Sequence, residues 1–231
     1  MYKGRTVSVA IPAYNEEKAI ARVIRDFKKP YVDELIVVDN NSKDRTADFA
    51  RRAGARVVRE TKQGYGHAIM RGMREAKGDW IVVVDADSTY VADDMEKLFA
   101  YTDVADLVLC TRVTRELVEP GASMGPFLFY GNLFIGKLME LRFGRKIKCT
   151  DLGCTFRLVK RTALKKIISK LYVGGAHFSP HMRIVAMENG LKVIEIPIRY
   201  RARVGESKLS GTNIPRSFML GLKMIKLILT T

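Results

Sequence analysis

Five short runs rich in Val and Ile recur through the first 110 residues, at positions 6–11, 34–39, 55–59, 80–84 and 106–110. Amphipathic stretches with helical spacing separate them, at 16–28, 45–53, 65–76 and 92–101. A strand that is apolar along both faces has to be covered on both sides. Strands of that kind alternating with helices specify an α/β fold, a doubly wound, mostly parallel sheet with helices on both faces. In such folds ligands bind beyond the carboxyl ends of the strands, so the residues that end each run are the first candidates for chemistry.

After Cys110 the pattern loosens. Residues 121–142 are apolar, with no charge between Glu119 and Lys137, but five residues of Gly or Pro punctuate them, which suits a surface or interfacial helix better than a membrane span. Runs at 154–160 and 191–200 read as further strands, 162–170 and 178–189 as helices, and 201–213 as a polar loop. Residues 214–231 read as an amphipathic, membrane-associating helix or as the start of a truncated membrane region, following a single domain over 1–213. No secretory signal peptide is evident at the N-terminus. Three cysteines are too few for a disulfide framework.

The charge is unevenly placed. The net charge is +15 in 231 residues, yet the first 110 residues hold 18 basic and 18 acidic side chains. The remainder holds 22 basic and 7 acidic ones, so the entire excess lies in the C-terminal half and that half faces something anionic. Basic strands interleaved with aromatics, which would suit nucleic acid, are lacking, so an anionic membrane surface or a phosphorylated substrate fits better.

Three strand ends stand out. The first carries Pro12-Ala13-Tyr14-Asn15-Glu16-Glu17, where Pro12 is expected to stop the ladder, Asn15 to cap a helix and Tyr14 to meet a base at the mouth of the crevice. The second ends in Asp39, which no helix needs as a cap and which suits a nucleobase or ribose; Ser42 or Asp44 can cap the helix that follows. The fourth ends in Asp85-Ala86-Asp87. At the strand period these two carboxylates point to one side, and like charges so close call for a cation. Oxygen donors of this kind suit Mg²⁺ or Mn²⁺. The turn Gly64-Tyr65-Gly66 opens a helix whose first amides could hold phosphate. His177 and His181 share a helix at metal-binding spacing, but no third ligand accompanies them and a zinc site is not expected.

Together with residues 7–17, the segment 37–46 and the Gly64-Tyr65-Gly66 turn, Asp85-Ala86-Asp87 resembles family 2 glycosyltransferases of the GT-A fold. The C-terminal half, through Asp151-Leu152-Gly153-Cys154-Thr155-Phe156-Arg157, Glu195-Ile196-Pro197-Ile198 and Arg203-Val204-Gly205-Glu206-Ser207-Lys208-Leu209, is similar to the dolichyl and polyprenyl phosphate hexosyltransferases. The chain departs from the family pattern at Asn40, Thr89 and His181. The resemblance implies an inverting enzyme that moves a hexose from a nucleotide-sugar of the UDP-glucose or GDP-mannose type to a polyprenyl phosphate at the cytoplasmic face of the cell membrane. It implies a divalent ion on Asp85 and Asp87. Pro12, Ala13, Tyr14, Glu16, Asp39, Gly64, Asp85, Ala86 and Ser207 would contact the nucleotide-sugar, while Arg112, Arg203 and Lys208 would grip the acceptor phosphate beside Asp87. A family member with a soluble acceptor is the main alternative.

Overall fold

The computed structural model describes residues 1–122, 124–144, 147–205 and 214–230. Seven strands form one sheet: β1 (Val7–Ala13), β2 (Glu34–Asp39), β3 (Arg56–Arg59), β4 (Trp80–Val83), β5 (Leu107–Thr111), β6 (Arg157–Lys160) and β7 (Val193–Pro197). Their order is β3-β2-β1-β4-β6-β5-β7. The helices are α1 (Ile20–Phe27), α2 (Thr46–Arg52), α3 (Tyr65–Glu75), α4 (Met95–Ala100), α5 (Pro126–Arg142), α6 (Arg161–Ile167), α7 (Phe178–Glu188) and α8 (Ile214–Thr230). The doubly wound α/β expectation holds. Successive side chains along each strand enter opposite cores: Trp80, Val82 and Val84 pack against α1 and α4, whereas Ile81 and Val83 pack against α3 and α7.

Two features of this topology position the site. The strand order reverses between β1 and β4, which opens a crevice at their carboxyl ends. Among the described strands only β6 runs antiparallel to its neighbours β4 and β5. An antiparallel strand enters the sheet from the carboxyl edge of the others, so the residues just before it, Asp151–Thr155, arrive at the mouth of the crevice. A purely parallel sheet would have left them at the opposite edge.

Local differences from the sequence reading have simple causes. β1 continues through Pro12 to Ala13, in register with Val38 and Asp39 of β2. Even-numbered residues of β1 face β4, where Trp80 N–H donates to Thr6 O and Val84 N–H to Ala10 O. The missing N–H of Pro12 therefore falls where β4 has ended and breaks no ladder bond. Asn15 does not cap α1. It adopts φ +53° and its Oδ1 accepts Lys43 N–H at 2.7 Å, while the helix begins at Ile20. Asp44 does support the start of α2, its Oδ1 accepting Thr46 N–H at 3.0 Å.

Helices α5 and α8 lie against each other, and Arg142 at the end of α5 donates to the carbonyl of Ile228 in the last turn of α8. Among the described residues no helix is long and apolar enough to cross a membrane.

Close packing sets a limit on one glycine beside the crevice. A Cβ on Gly66 would stand 2.2 Å from Val173 O and 3.0 Å from Phe178 Cβ. Gly66→Ala should therefore lower stability by about 1–3 kcal/mol through overpacking. Gly131→Ala, on a helical position with no atom within 4 Å of its Cβ, should leave stability unchanged or raise it. Chemical denaturation of the two variants checks both.

Candidate active site

A cleft of about 740 Å³ opens at the carboxyl edge between β1 and β4. Pro12, Ala13, Tyr14, Glu16, Gly64, Asp85, Ala86, Asp87, Arg112 and Arg203 all line it, so ten of the residues singled out from sequence converge. Asp39 does not line it. Its Oδ1 accepts Ser42 N–H at 3.1 Å, a turn-stabilising role, and the neighbouring Asn40 lines the cleft. Ser207 and Lys208 lie outside the described residues.

Asp85 and Asp87 occupy the floor, but the strand period does not place them. β4 ends at Val83 and both carboxylates sit in the turn that follows, with Ser88 in the left-handed region at φ +65°. Asp85 turns toward α3, where the Tyr65 hydroxyl donates to its Oδ1 and also meets Thr155 Oγ1. Asp87 turns toward the rim. Its Oδ1 accepts the N–H and hydroxyl of Thr89 at 3.1 and 2.6 Å, and its Oδ2 accepts Arg203 Nη1 at 2.7 Å. Burial and then the charge of Asp87 raise the Asp85 carboxyl to about 6. The floor thus carries more negative charge than its dry surroundings support.

Arg203 answers part of that charge by bridging Asp87 and Glu16. A short ladder delivers it. Asp94, fully buried, accepts the N–H of Arg199 at 2.7 Å and its guanidinium at 3.0–3.1 Å. Arg201 N–H then reaches Thr89 O at 2.8 Å, and Val204 N–H reaches Asp87 O at 3.0 Å. The residue expected to meet an acceptor phosphate therefore stands on the acidic floor in this state.

Arg112 follows β5 and meets Asp151 through two parallel bonds, Nε to Oδ2 at 2.7 Å and Nη2 to Oδ1 at 2.9 Å. Burial opposes both charges, yet each outweighs it for the other: Asp151 is held below the ordinary carboxylate range, and the guanidinium is held firmly protonated. The guanidinium also stacks on Tyr200, 5.1 Å from the ring centre.

The Gly64 turn does not serve as an amide cradle. Gly64 N–H donates to Asn40 Oδ1 at 2.8 Å, and the Gly66 and His67 N–H groups both donate to Gly174 O. Three of the four amides there are spent within the protein. Gly64 is still required, because its φ is +147° and a Cβ would fall 2.4 Å from Gly174 O. Asn40 holds this turn with its whole carboxamide, its Nδ2 donating to Glu60 O and Lys62 O at 3.0 and 2.9 Å.

Beyond Arg112 the cleft changes character. It runs between α5 and α8, along Phe127, Leu128, Phe134 and Ile135 on one side and Phe218, Leu220, Leu222 and Met224 on the other. One continuous space thus has a charged end and an apolar end. Sequence reasoning had not paired these two helices, nor found Tyr65, Thr155, Tyr200 and Asp151 as a set. Asp151 and Thr155 stand inside the motif before β6, which was the available signal.

These features agree with what the chain is similar to. The model of glycosyl transferase family 2 matches residues 8–168, more than half of the chain, which therefore belongs to that family. It is 32 % identical over 208 residues to a dolichyl-phosphate hexose transferase of Haloferax volcanii, covering 88 % of this chain and 86 % of that protein. It is 30 % identical over 212 residues to the low-salt glycan biosynthesis hexosyltransferase Agl6 of the same organism, covering 89 % of this chain and half the length of that relative. Crystal structures of glucosyl-3-phosphoglycerate synthase from Mycobacterium tuberculosis share the fold, with a TM-score of 0.74 and 22 % identity over 98 % of this chain and 79 % of that one. One of them holds Mn²⁺, UDP-glucose and phosphoglyceric acid. The α/β GT-A fold expected from the sequence is the fold found.

The two histidines do not share a helix, since His177 precedes α7 and only His181 lies within it, and neither lines the cleft. Among the described residues no three His, Cys, Asp or Glu side chains cluster to hold an ion. His181 is fully buried, its Nε2 accepts Tyr172 N–H at 3.2 Å, and burial lowers its pKa below the ordinary 6.5. The folded chain thus binds fewer protons there than the unfolded chain. The stability from neutral His181 is present above about pH 6.5 and is lost as pH falls toward its folded value. Asp85 works in the opposite sense, favouring the fold as pH falls from about 6 toward the unfolded carboxylate range. Urea unfolding of the wild type and His181→Gln at pH 7 and pH 5 separates the two, and the wild type's advantage over the variant should shrink at pH 5.

Proposed function

We propose that the protein transfers a hexose from a nucleoside diphosphate sugar to a polyprenyl monophosphate held at the surface of a membrane, on the cytoplasmic face. The observation that carries this reading is the continuity of the cleft: carboxylates and arginines at one end, an apolar groove between α5 and α8 at the other. A phosphate on a long apolar tail has the same two halves.

The residues present fit a divalent ion. Asp85 and Asp87 offer hard oxygen donors whose mutual repulsion a cation relieves, and two carboxylates with substrate phosphates are a common Mg²⁺ ligand set. When bound there, Mg²⁺ or Mn²⁺ would neutralise charge developing on the departing diphosphate. The rest falls to the chain's own side chains. Pro12, Ala13, Tyr14, Glu16, Asn40, Gly64 and Ala86 shape the donor end. Asp39 ends the adjacent strand β2 and is proposed to contact the base or ribose, while its Oδ1 accepts Ser42 N–H in the turn.

The acceptor phosphate has a second pKa of about 6 and is largely dianionic at neutral pH, so it needs no strong base. One of its oxygens attacks the anomeric carbon while the bond from that carbon to the nucleoside diphosphate oxygen breaks, its electron pair leaving with the diphosphate. Arg112, fixed by Asp151, orients the attacking phosphate. With a cation on Asp87, the Arg203 guanidinium would be available to the same phosphate; Ser207 and Lys208 follow it in sequence and are proposed to assist. The dolichyl-phosphate hexose transferase among the relatives supports this acceptor class.

A panel of radiolabelled UDP-glucose and GDP-mannose with Mg²⁺, offered polyprenyl monophosphate or 3-phosphoglycerate, tests the reading. Label should enter the organic phase with the lipid, and Asp87→Asn should reduce transfer by ~10²-fold or more and abolish metal-dependent nucleotide binding. Transfer confined to the water-soluble acceptor would overturn the lipid assignment.

Association with a membrane has its own support. Phe127, Tyr130, Phe134 and Leu141 of α5 and Phe218, Met219, Leu222 and Leu229 of α8 are all exposed, and Lys137, Lys223 and Lys226 stand on the same two helices. Binding to vesicles containing anionic lipid should weaken as salt rises, and Met219→Ser with Leu229→Ser should weaken it further. Flotation assays read both, and binding equal on neutral vesicles at high salt would count against the membrane reading.

A further inference from the structure

Behind Arg112 lies a buried polar network that the chemistry above does not use. Glu195, in β7, and Arg183, in α7, form an ion pair with both side chains under 5 % exposed. Burying such a pair brings little net stability, since desolvating two charges offsets their attraction. What else the pair holds is therefore informative. Glu195 Oε1 accepts both the N–H of Thr150, at 2.8 Å, and its hydroxyl. Arg183 Nη1 reaches the carbonyl of Lys148 at 3.3 Å. All of these bonds converge on the segment 148–150, directly before Asp151.

That segment is clamped from two further sides. Thr111 Oγ1, in the last residue of β5, lies 2.8 Å from Thr150 Oγ1. Cys149 N–H donates to Glu140 Oε1 of α5 at 3.0 Å. Asp151 then takes the Arg112 N–H, Nε and Nη2 together, and its Oδ1 also accepts Gly153 N–H at 2.9 Å. Gly153 also packs close to the guanidinium, since a Cβ there would stand 2.9 Å from Arg112 Nη2. Thr150 and Asp151 are consecutive in the chain, so a shift of Thr150 moves the backbone that carries Asp151 and its bonds to Arg112.

We infer that Glu195 and Arg183 are positioning residues for Arg112: their buried pair holds Thr150, Thr150 sets Asp151, and Asp151 aims the guanidinium at the acceptor phosphate. The role of Arg112 in this statement rests on the lipid phosphate reading; the mechanical link does not. Glu195→Gln keeps the size of the side chain but turns an amide donor toward Arg183 or Thr150. Thr150→Val keeps the shape and the N–H but removes the hydroxyl, and leaves the ion pair intact, so it serves if Glu195→Gln fails to fold.

Both variants should raise KM for polyprenyl monophosphate about tenfold, leave KM for the nucleotide-sugar within twofold, and have no further effect in an Arg112→Ala background. A full tenfold effect persisting without Arg112, or equal shifts in both KM values, would overturn the inference. The Arg112 Nε–H signal in ¹⁵N NMR, assigned by its loss in Arg112→Lys, is read without any substrate. In the variants it should exchange with solvent at least tenfold faster than in the wild type, and an unchanged rate would overturn the link. If the wild type ignores polyprenyl phosphate while that signal responds as expected, the acceptor reading fails and the positioning link stands.

Discussion

Two carboxylates two positions apart in a poorly hydrated turn impose the central constraint on this molecule. Asp85 and Asp87 repel each other, and burial deepens the penalty until Asp85 holds its proton to about pH 6. Everything near them supplies compensation. Tyr65 and Thr155 hydrogen-bond within the Asp85 environment, Thr89 satisfies one oxygen of Asp87, and Arg203 brings a full positive charge to the other. A floor arranged in this way is suited to exchanging one cation for another, because its stability depends on positive charge being present and not on which group carries it.

That dependence explains why residues from opposite ends of the chain meet here. Arg203 follows β7 at the edge of the sheet, while Glu16 and Asp87 lie beyond β1 and β4 near its centre. The ladder through Asp94, Arg199 and Thr89 spans that gap with the Asp94 carboxylate and two backbone bonds, so the segment after the last strand delivers its arginine as part of the fold. The groove between α5 and α8 adjoins the same floor. A charged end and an apolar end are therefore neighbours in one space.

The parallel half of the fold was legible because burial on both faces leaves apolar runs in its central strands β1, β2 and β4, and the helices between show one apolar face. The acidic floor was legible for a related reason: a carboxylate ending such a run has no structural purpose in a core. Asp39 shows the limit of that argument. It ends a buried strand too, yet its oxygen serves the Ser42 amide, and Asn40 takes the wall. The Gly64 turn shows another limit, since the carbonyl of Gly174, distant in sequence, consumes the amides of Gly66 and His67.

By itself the sequence determined that strands alternate with helices, roughly where the strands of the parallel half lie, and that a pair of acids and a strongly basic second half must be answered by something of opposite charge. Those properties are local, set by side-chain period and composition. Only the tertiary structure decided that β6 runs against its neighbours, since pairing direction depends on the sheet as a whole. That reversal places Asp151 beside Arg112 and Thr155 beside Asp85, and long-range packing of α8 on α5 opens an apolar groove from the same floor. Contacts between residues far apart in sequence leave no periodic trace, which is why these partners could be read only once the chain had folded.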